Sequence, residues 1–429
     1  MATISPFYGF RYNLEIIKNL SAVVTPPYDV ISSKQQAQFY RNHRYNFIRI
    51  ILGKEKNGDT TLNNKYTRAK EVLNQWIRDK IVAPENEPSI YLYEQGFIFE
   101  GKYLRRRGFI ALLKLEPVGK GVVFPHEKTF CKPKEDRLSL LKATEANLSP
   151  IFGFYADDDL SAEHLIAARA KTKPLCDFKF EGVRNRLWRI SEAESIERFE
   201  RLMKDKQVFI ADGHHRYEVA SSYHRVVKKD KRLNSGYVMM YFCSLQSEGL
   251  KVLPTHRVVR AIACDTFSDM ISRLEPYFYI QSFSTVKALL TRLKQKASTR
   301  ALGLYAGSEK YYLLEFKAAR NDTAMQAASE NSAYCYNNLD VVLLHSFVFR
   351  KLLGIKEQNY HDGHILYTRD ELMAVRLVKE KKYQAAFFMN PPHPQQIRAI
   401  ARCFQKMPHK STYFYPKPVS GLVINLLKR

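Results

Sequence analysis

The sequence has few long apolar runs, and none is long enough to cross a membrane. The longest unbroken run, residues 237–243, is far shorter than the roughly 20 residues of a spanning helix. Residues 1–25 are interrupted by charged and polar side chains and contain no apolar stretch after a basic start, which does not fit a secretory signal. We therefore predict a cytoplasmic protein without a membrane span.

Cysteine is also scarce. The chain has six cysteines among 429 residues, no two of them within twenty positions of each other and none in a C-x-x-C pair. The usual zinc-binding and dithiol motifs are therefore excluded, and we expect ordinary reduced thiols.

Acidic residues are in short supply relative to basic ones. Asp and Glu number 43 against 68 Lys and Arg, which gives a formal net charge of +25. A field of this sign attracts nucleic acid, anionic membranes and acidic substrates alike. Because the basic residues are spread along the chain rather than grouped in blocks, we favour a solvated surface and keep nucleic-acid binding as an alternative.

The composition is that of a folded protein, with 45% hydrophobic and 13% aromatic residues. A length of 429 residues suggests two or three domains. The pattern of elements predicts an α+β core over residues 1–260, a small α+β insert over 261–330 and a C-terminal α/β region over 331–429. No clean linker separates these regions, so we expect them to be interdigitated.

Apolar periodicity and turn residues predict the principal helices and strands. Helices are predicted at 65–80, 213–227, 284–296, 338–353 and 394–404. Strands are predicted at 90–99, 103–115, 207–211, 236–245, 277–283, 300–305, 311–316 and 384–389.

The strongest local signal is an Asp-Gly-His-His-Arg sequence, the 212–216 box, where an apolar strand runs into the start of a helix. Unpaired backbone N–H groups and the positive end of the helix dipole favour an anion there. Gly213 would let a phosphate approach the backbone, Arg216 can grip phosphate oxygens with two hydrogen bonds, and Asp212 can hold Mg²⁺ or accept a proton. The competing interpretation is a plain N-cap with exposed histidines, which needs only one such residue. We therefore predict a phosphate site made of Gly213, His214, His215 and Arg216.

A second group of polar residues follows Phe124-Pro125. His126 and Glu127 are adjacent, without the second histidine that a zinc protease motif requires. Glu127 is a candidate general base, and Arg137 a candidate contact for an anion. A solvated charged turn explains the same residues equally well.

Further polar residues are weaker candidates. Asn147 lies at the start of a predicted strand and Thr255 and His256 at the end of another, where each can contact a substrate or serve a structural role. The stretch 26–29, Pro-Pro-Tyr-Asp, fits a substrate-lining loop or a structural turn, and we favour the turn. Near the C-terminus, Lys410, Ser411 and Thr412 are similar to the end of a P-loop but lack its glycines, so only a basic, hydroxyl-bearing loop for phosphate is predicted.

Taken together, these motifs resemble those of a large family of bacterial and archaeal proteins. The matching stretches extend over most of the chain, namely residues 26–29, 46–49, 126–127, 147–150, 211–216 and 407–417. The 212–216 box also resembles that of the ParB/sulfiredoxin superfamily, whose members bind nucleotide phosphates at a helix N-terminus. Shorter relatives with a similar box include kinases that phosphorylate free L-serine.

The resemblance implies a ParB/sulfiredoxin-like nucleotide-binding core and a kinase that uses ATP or ADP with Mg²⁺. It implies that Glu127 and Asp212 are the acidic catalytic pair, with Asp212 also the candidate Mg²⁺ ligand. Small-molecule contacts are expected from His126, Arg137, Asn147, Thr255 and His256. Most simply, the reaction would convert L-serine to O-phosphoserine.

Two other functions stay open on the sequence alone. One is a non-enzymatic, ParB-like protein that binds nucleic acid through its basic surface, although no helix-turn-helix pattern is evident. The other is a metal-dependent hydrolase that uses His126, His214 and His215.

Overall fold

A computed structural model of the whole chain describes residues 2–117, 121–127, 129, 131–260, 262–264, 266–317, 334–355 and 363–428. The chain forms two compact units, neither of them continuous in sequence. The first unit comprises residues 1–125, 129–251 and 414–429, and the second comprises residues 126–128 and 252–413.

The first unit is built on a nine-stranded mixed sheet. Most neighbouring strands are antiparallel, but Val123–Phe124 runs parallel to Val208–Asp212, and Ile151–Tyr155 parallel to Tyr237–Ser244. The strand order is Val123–Phe124, Val208–Asp212, Ile151–Tyr155, Tyr237–Ser244, Lys102–Lys114, Ile90–Phe99, Val183–Ile190 and Cys176–Phe180, with Ile4–Ser5 also paired to Lys102–Lys114.

A second, four-stranded antiparallel sheet brings the end of the chain back into the first unit. Its order is Val82–Pro84, Gly9–Tyr12, Ile424–Leu426 and Ala146–Asn147. The C-terminal strand is therefore an inner strand, hydrogen-bonded on both sides. The segment that precedes it is fixed as well, because Thr25 and Ser420 exchange two backbone hydrogen bonds.

Several helices of the first unit bury apolar side chains. In Lys65–Arg78, for example, Ala69, Leu73 and Trp76 are buried at helical spacing, and Asn64 caps the first turn. The helices are Ser33–Asn42, Ile48–Ile51, Lys65–Arg78, Cys131–Thr144, Ser161–Arg169, Ala193–Lys204 and His214–Val227, with 3₁₀ turns at Leu20–Ala22 and Tyr28–Val30.

The second unit contains a six-stranded antiparallel sheet. Its order is Phe278–Phe283, Tyr311–Phe316, Ala301–Tyr305, Ala385–Phe388, His256–Val259 and Ile365–Thr368. Its helices are Phe267–Leu274, Val286–Gln295, Tyr334–Asn337, Asp340–Val342, Glu371–Lys379 and Pro394–Arg402, with a π-helix at Leu343–Leu352. Two further short strands of the chain are Lys251–Val252 and Phe414–Tyr415.

The compact units differ from the three regions expected from the sequence. The six-stranded sheet takes strands from both sides of residue 330, so the expected insert and most of the C-terminal region share one unit. The last 16 residues belong to the first unit instead. Residues 318–330 of the expected insert lie outside the described residues.

The mixed α+β class is confirmed, and most predicted elements are present within one or two residues of their expected bounds. The expected helix at 338–353 differs, because it begins as Asp340–Val342 and continues as the π-helix Leu343–Leu352. Most of the residues of this segment are buried. An apolar pattern without a polar face cannot distinguish 3.6 residues per turn from a wider helix.

No helix in the part of the chain that the structure describes has the length and apolar character needed to cross a lipid bilayer.

Candidate functional site

The 212–216 box forms a strand-turn-helix junction, as its sequence predicts. The buried strand Val208–Asp212 ends at Asp212, and the helix His214–Val227 begins two residues later. Between them Gly213 adopts the left-handed conformation, with φ at +94°. The positive φ favours glycine here, and a Cβ on this residue would lie 2.8 Å from Nη2 of Arg216, so a larger residue would displace the guanidinium. The turn thus brings Arg216 back towards the end of the strand.

Asp212 and Arg216 form an ion pair at this junction. Nη2 of Arg216 donates to Oδ2 of Asp212 at 2.8 Å, and both side chains are largely shielded from solvent, at 13% and 15% exposure. Nη1 of Arg216 donates to Oγ of Ser149 at 3.0 Å and to the carbonyl of Pro150 at 2.6 Å. The helix is capped by Gly213 without a side-chain hydrogen bond, so Asp212 does not act as a plain N-cap.

The two histidines of the box differ in exposure. His214 is the first residue of the helix and is buried at 4% exposure, whereas His215 is partly exposed. The interpretation of both as exposed side chains is therefore wrong for His214.

Lys417, from the returning C-terminal segment, joins Asp212 to a second carboxylate. Its Nζ lies 2.5 Å from Oδ1 of Asp212 and 2.5 Å from Oδ2 of Asp29. Burial alone would lower the pKa of Lys417, but attraction and hydrogen bonds to Asp212 and Asp29 raise it overall. The ammonium therefore stays charged at neutral pH and holds the two carboxylates around one cation.

A buried polar network holds the backbone next to Lys417. Arg106, on the strand Lys102–Lys114, is fully buried and donates through Nη2 to the carbonyl of Pro416 and to Oε1 of Gln95. Gln95 in turn donates through Nε2 to the carbonyl of Lys417 at 3.1 Å. The Arg106 guanidinium also lies over the ring of Phe152, 4.5 Å from its centroid.

Tyr28 and Arg137 adjoin the same cluster. The guanidinium carbon of Arg137 is 4.0 Å from the centroid of the Tyr28 ring. Burial raises the pKa of Tyr28, and the charges of Arg137, Asp29, Arg216 and Asp212 also act on it. These groups therefore lie within electrostatic reach of one hydroxyl, although they come from three separate segments of the chain.

A cavity of the first unit lies beside Arg216. Its polar lining is Arg137, Asn147, Ser149 and Arg216, and the rest is mostly apolar. Arg137 already donates to Asp136 and to the carbonyl of Ile51. Oδ1 of Asn147 accepts from the backbone of Met239 at 3.1 Å and from Asn425 at 2.9 Å, so this amide anchors two strands.

The other predicted site residues lie in the second unit. Oε1 of Glu127 accepts from the backbone N–H of Lys410 at 3.1 Å and is 3.2 Å from Nδ1 of His409. Nε2 of His126 is hydrogen-bonded to Oγ1 of Thr412 at 2.9 Å. The basic, hydroxyl-bearing loop 410–412 therefore contacts the His126-Glu127 segment, a pairing that was not predicted.

Three more predicted residues of the second unit have hydrogen-bond partners within that unit. Oγ of Ser411 donates to the carbonyl of Pro408, and the carbonyl of Thr255 accepts from Arg257. Nδ1 of His256 accepts from the backbone of Met389 at 3.3 Å. Burial, with a smaller contribution from Arg257, lowers the pKa of His256 to about 4, so this ring is neutral at pH 7.

The structure thus distributes the predicted site residues over both units. Asp212, Gly213, His214, His215, Arg216, Arg137 and Asn147 lie in the first unit, and His126, Glu127, Thr255, His256, Lys410, Ser411 and Thr412 in the second. Within the first unit, the carboxylate that shares a cation with Asp212 is that of Asp29, which the sequence predicts to lie in a structural turn. The sequence singles out Lys417 only as part of the stretch 407–417.

Among the described residues no group of three or more His, Cys, Asp or Glu side chains is arranged to hold a metal ion. Mg²⁺ sites often use only one or two carboxylates together with substrate phosphates. Asp29 and Asp212 fit that smaller requirement.

The fold and this cluster define an α+β protein with paired carboxylates and cations at a strand-to-helix junction. The chain belongs to the family described as "Protein of unknown function (DUF1015)", which matches residues 4–342. Lys417 lies beyond the matched residues. No curated protein sequence matches the chain.

Several solved structures are similar over most of their length. A conserved hypothetical protein from Pyrococcus furiosus is 12% identical, with a TM-score of 0.34 over 72% of this chain and 93% of that chain. A free serine kinase in complex with AMP is 12% identical, with a TM-score of 0.33 over 71% and 86%. SbnI from Staphylococcus aureus, with a C-terminal truncation, is 11% identical, with a TM-score of 0.34 over 72% and 87%. These identities and TM-scores are too low to transfer an activity.

Proposed function

We propose that this protein is a nucleotide-dependent kinase that phosphorylates the hydroxyl group of a small free amino acid, most simply L-serine, with ATP or ADP as donor. The observation that carries the proposal is the cluster of Asp29, Asp212, Lys417 and Arg216 at the start of the helix His214–Val227. The choice of amino acid comes from the resemblance of the 212–216 box to that of free serine kinases.

The phosphates of the nucleotide would bind at the N-terminus of the helix His214–Val227. Its first backbone N–H groups and the dipole favour an anion, and Gly213 leaves room for close approach. Arg216 and Lys417 supply fixed positive charge that stabilises the phosphoryl group during its transfer. Because both cations are already oriented by Asp212 and Asp29, little reorganisation is needed during the reaction.

A serine hydroxyl is a weak nucleophile and needs a group to accept its proton. We assign that role to Asp29, whose side chain is 40% exposed, against 15% for Asp212. As the serine oxygen bonds to the terminal phosphorus, its proton passes to the Asp29 carboxylate. The bond from phosphorus to the bridging oxygen breaks, and the shortened nucleotide leaves with that electron pair.

Asp212 would hold Mg²⁺ together with the nucleotide phosphates, and the metal would offset the charge of the transferring group. Arg137 has most of its donors engaged by Asp136 and Ile51. We therefore propose that it acts by fixing Tyr28 and the Asp29 loop rather than by holding the substrate. Glu127 stays a candidate for the catalytic base, and Lys410, Ser411 and Thr412 stay candidate phosphate contacts, as the sequence predicts.

The test is phosphoserine formation by the purified full chain. Protein incubated with Mg²⁺, L-serine and either ATP or ADP should yield O-phosphoserine, detected by mass spectrometry. Asp212→Asn and Asp29→Asn should each abolish it. Asp230→Asn, which changes a carboxylate paired with the exposed Arg232 elsewhere in the first unit, is the matched control and should not.

Two results would overturn the proposal. The first is nucleotide hydrolysis that is indifferent to every amino acid offered. The second is salt-sensitive binding of duplex or single-stranded nucleic acid without any phosphotransfer, which would favour the nucleic-acid alternative raised by the charge of +25.

A further inference from the structure

The first unit buries a cation that the proposed reaction does not use directly. Arg106 has no solvent exposure, and its hydrogen bonds go to neutral acceptors, the Gln95 side chain and the Pro416 carbonyl. Within the described part of the chain, no salt bridge joins Arg106 to a carboxylate. A buried charge without an ionic partner is costly. An apolar side chain would satisfy the packing of this strand at lower cost, so the charge calls for another explanation.

The contacts of Arg106 lead towards the proposed site. The Pro416 carbonyl that it binds belongs to the residue immediately before Lys417, and Gln95 connects Arg106 to the Lys417 carbonyl. Two consecutive carbonyls of the C-terminal segment are therefore held by one side-chain pair on the sheet. The Lys417 side chain starts from this fixed backbone and reaches both carboxylates at 2.5 Å.

Downstream, the same segment is fixed by main-chain pairing. Ser420 exchanges two backbone hydrogen bonds with Thr25, and Ile424–Leu426 is an inner strand of the four-stranded sheet. Upstream, the ring of Tyr415 packs edge-on against Phe97, with centroids 5.5 Å apart. Between these anchors, the Arg106–Gln95 pair binds the carbonyls of residues 416 and 417 directly.

We propose that Arg106 is a positioning residue of the site, acting with Gln95 to hold the Pro416–Lys417 backbone so that the Lys417 ammonium stays between Asp29 and Asp212. The link to catalysis rests on the proposed kinase function, but the positional claim does not. Loss of Arg106 should release Lys417 from the carboxylates while leaving the sheet pairing of the C-terminal strand intact.

The first readout is the accessibility of Lys417, which needs no enzymatic activity. In the wild-type chain the amine is 8% exposed and paired twice, so it should react slowly with an amine-acylating reagent. In Arg106→Gln its acylation, measured by peptide mass spectrometry, should be about tenfold faster or more, because local opening exposes it. Arg105→Gln changes the exposed neighbour on the same strand and should react as the wild type does.

Gln95→Met provides a second variant in case Arg106→Gln folds poorly. It removes the bond to the Lys417 carbonyl and one acceptor of Arg106 while keeping the side-chain volume. It should raise Lys417 acylation in the same direction. Unchanged acylation in both folded variants, judged by circular dichroism and thermal unfolding, would overturn the proposal.

The second readout separates positioning from general destabilisation. If Arg106 acts through Lys417, the double variant Arg106→Gln/Lys417→Met should have the same turnover and pH profile as Lys417→Met alone. Additive losses would contradict the proposal. Increased acylation in a chain that makes no phosphoserine would uphold the positioning of Lys417 and count only against the kinase function.

Discussion

Replacement of Lys417 by methionine is the most informative single change to this site. The methionine side chain nearly matches the lysine stem in length but removes the ammonium that lies 2.5 Å from both Asp29 and Asp212. The two carboxylates then lose the cation between them, while Arg216 stays paired with Asp212. The variant therefore tests whether the cation organises the site.

The size of the effect follows from burial. Removing one partner of a buried ion pair typically costs about 3–5 kcal/mol. Asp29 is 40% exposed, so solvent screens part of the repulsion, and we expect a loss of about 2–3 kcal/mol in the free energy of unfolding at pH 7. Turnover should fall by about 10²–10³-fold if Lys417 stabilises the transferring phosphoryl group.

The loss of stability in Lys417→Met should also depend on pH. Without the ammonium, the electrostatic repulsion between the two ionised carboxylates is no longer offset. The variant should therefore be destabilised more at pH 7.5 than at pH 4.5, which is closer to the range in which carboxylates ordinarily take up protons. Urea denaturation of the two proteins at pH 4.5 and pH 7.5 measures this difference.

A clear result would refute the reasoning. If Lys417→Met unfolds at the same urea concentration as the wild type at pH 7.5, the ammonium does not hold the two carboxylates. Addition of ethylammonium to Lys417→Ala offers a complementary check, because a small amine that enters the vacated space should restore part of the lost activity.

Three further changes test other parts of the account. Asp29→Asn should abolish phosphotransfer, measured by the yield of phosphoserine, because the proton acceptor is lost. If Glu127→Gln lowers the yield more than Asp29→Asn does, Glu127 rather than Asp29 is the base. Gly213→Ala should lower the free energy of unfolding by about 1–2 kcal/mol, because alanine is strained at φ +94° and its Cβ meets Arg216. It should also weaken nucleotide binding, measured by calorimetry. If stability and nucleotide affinity are both unchanged, the turn adapts to alanine without strain. In the second unit, burial raises the pKa of Asp340 to about 8, so the folded state keeps a proton that the unfolded state releases, and stability should fall as the pH rises from about 4 to about 8. Asp340→Asn should remove that decline and raise the free energy of unfolding at pH 8 by about 1–3 kcal/mol. This is less than the full pKa shift corresponds to, because the side chain is partly exposed. If urea denaturation of the variant and the wild type depends on pH in the same way, the prediction is contradicted.

Local structure was largely predictable from the sequence. The hairpin of Ile90–Phe99 and Lys102–Lys114 and the helix Lys65–Arg78 follow from apolar periodicity and turn residues within a few positions. The 212–216 box was also recognisable, because a glycine between a buried strand and a helix is a local requirement.

The partners of the box were not predictable in the same way. Asp29 and Lys417 are 388 residues apart, and no periodic pattern reports which distant segments meet. Glu127 was paired with Asp212 by resemblance, whereas its segment is bridged to Met407 and belongs to the second unit. Asn147 was a candidate for substrate contact, yet its amide oxygen joins two strands through main-chain and side-chain donors. Each case depends on a long-range hydrogen bond rather than on a local preference.

The transfer reaction itself tests the central claim most directly. In a ³¹P NMR time course with the purified chain, Mg²⁺, L-serine and nucleotide, the account predicts that the terminal phosphate resonance declines as a phosphoserine resonance grows by the same amount. Asp212→Asn should show neither change. Loss of the terminal phosphate to inorganic phosphate, at a rate independent of serine and unaffected by Asp212→Asn, would contradict the account.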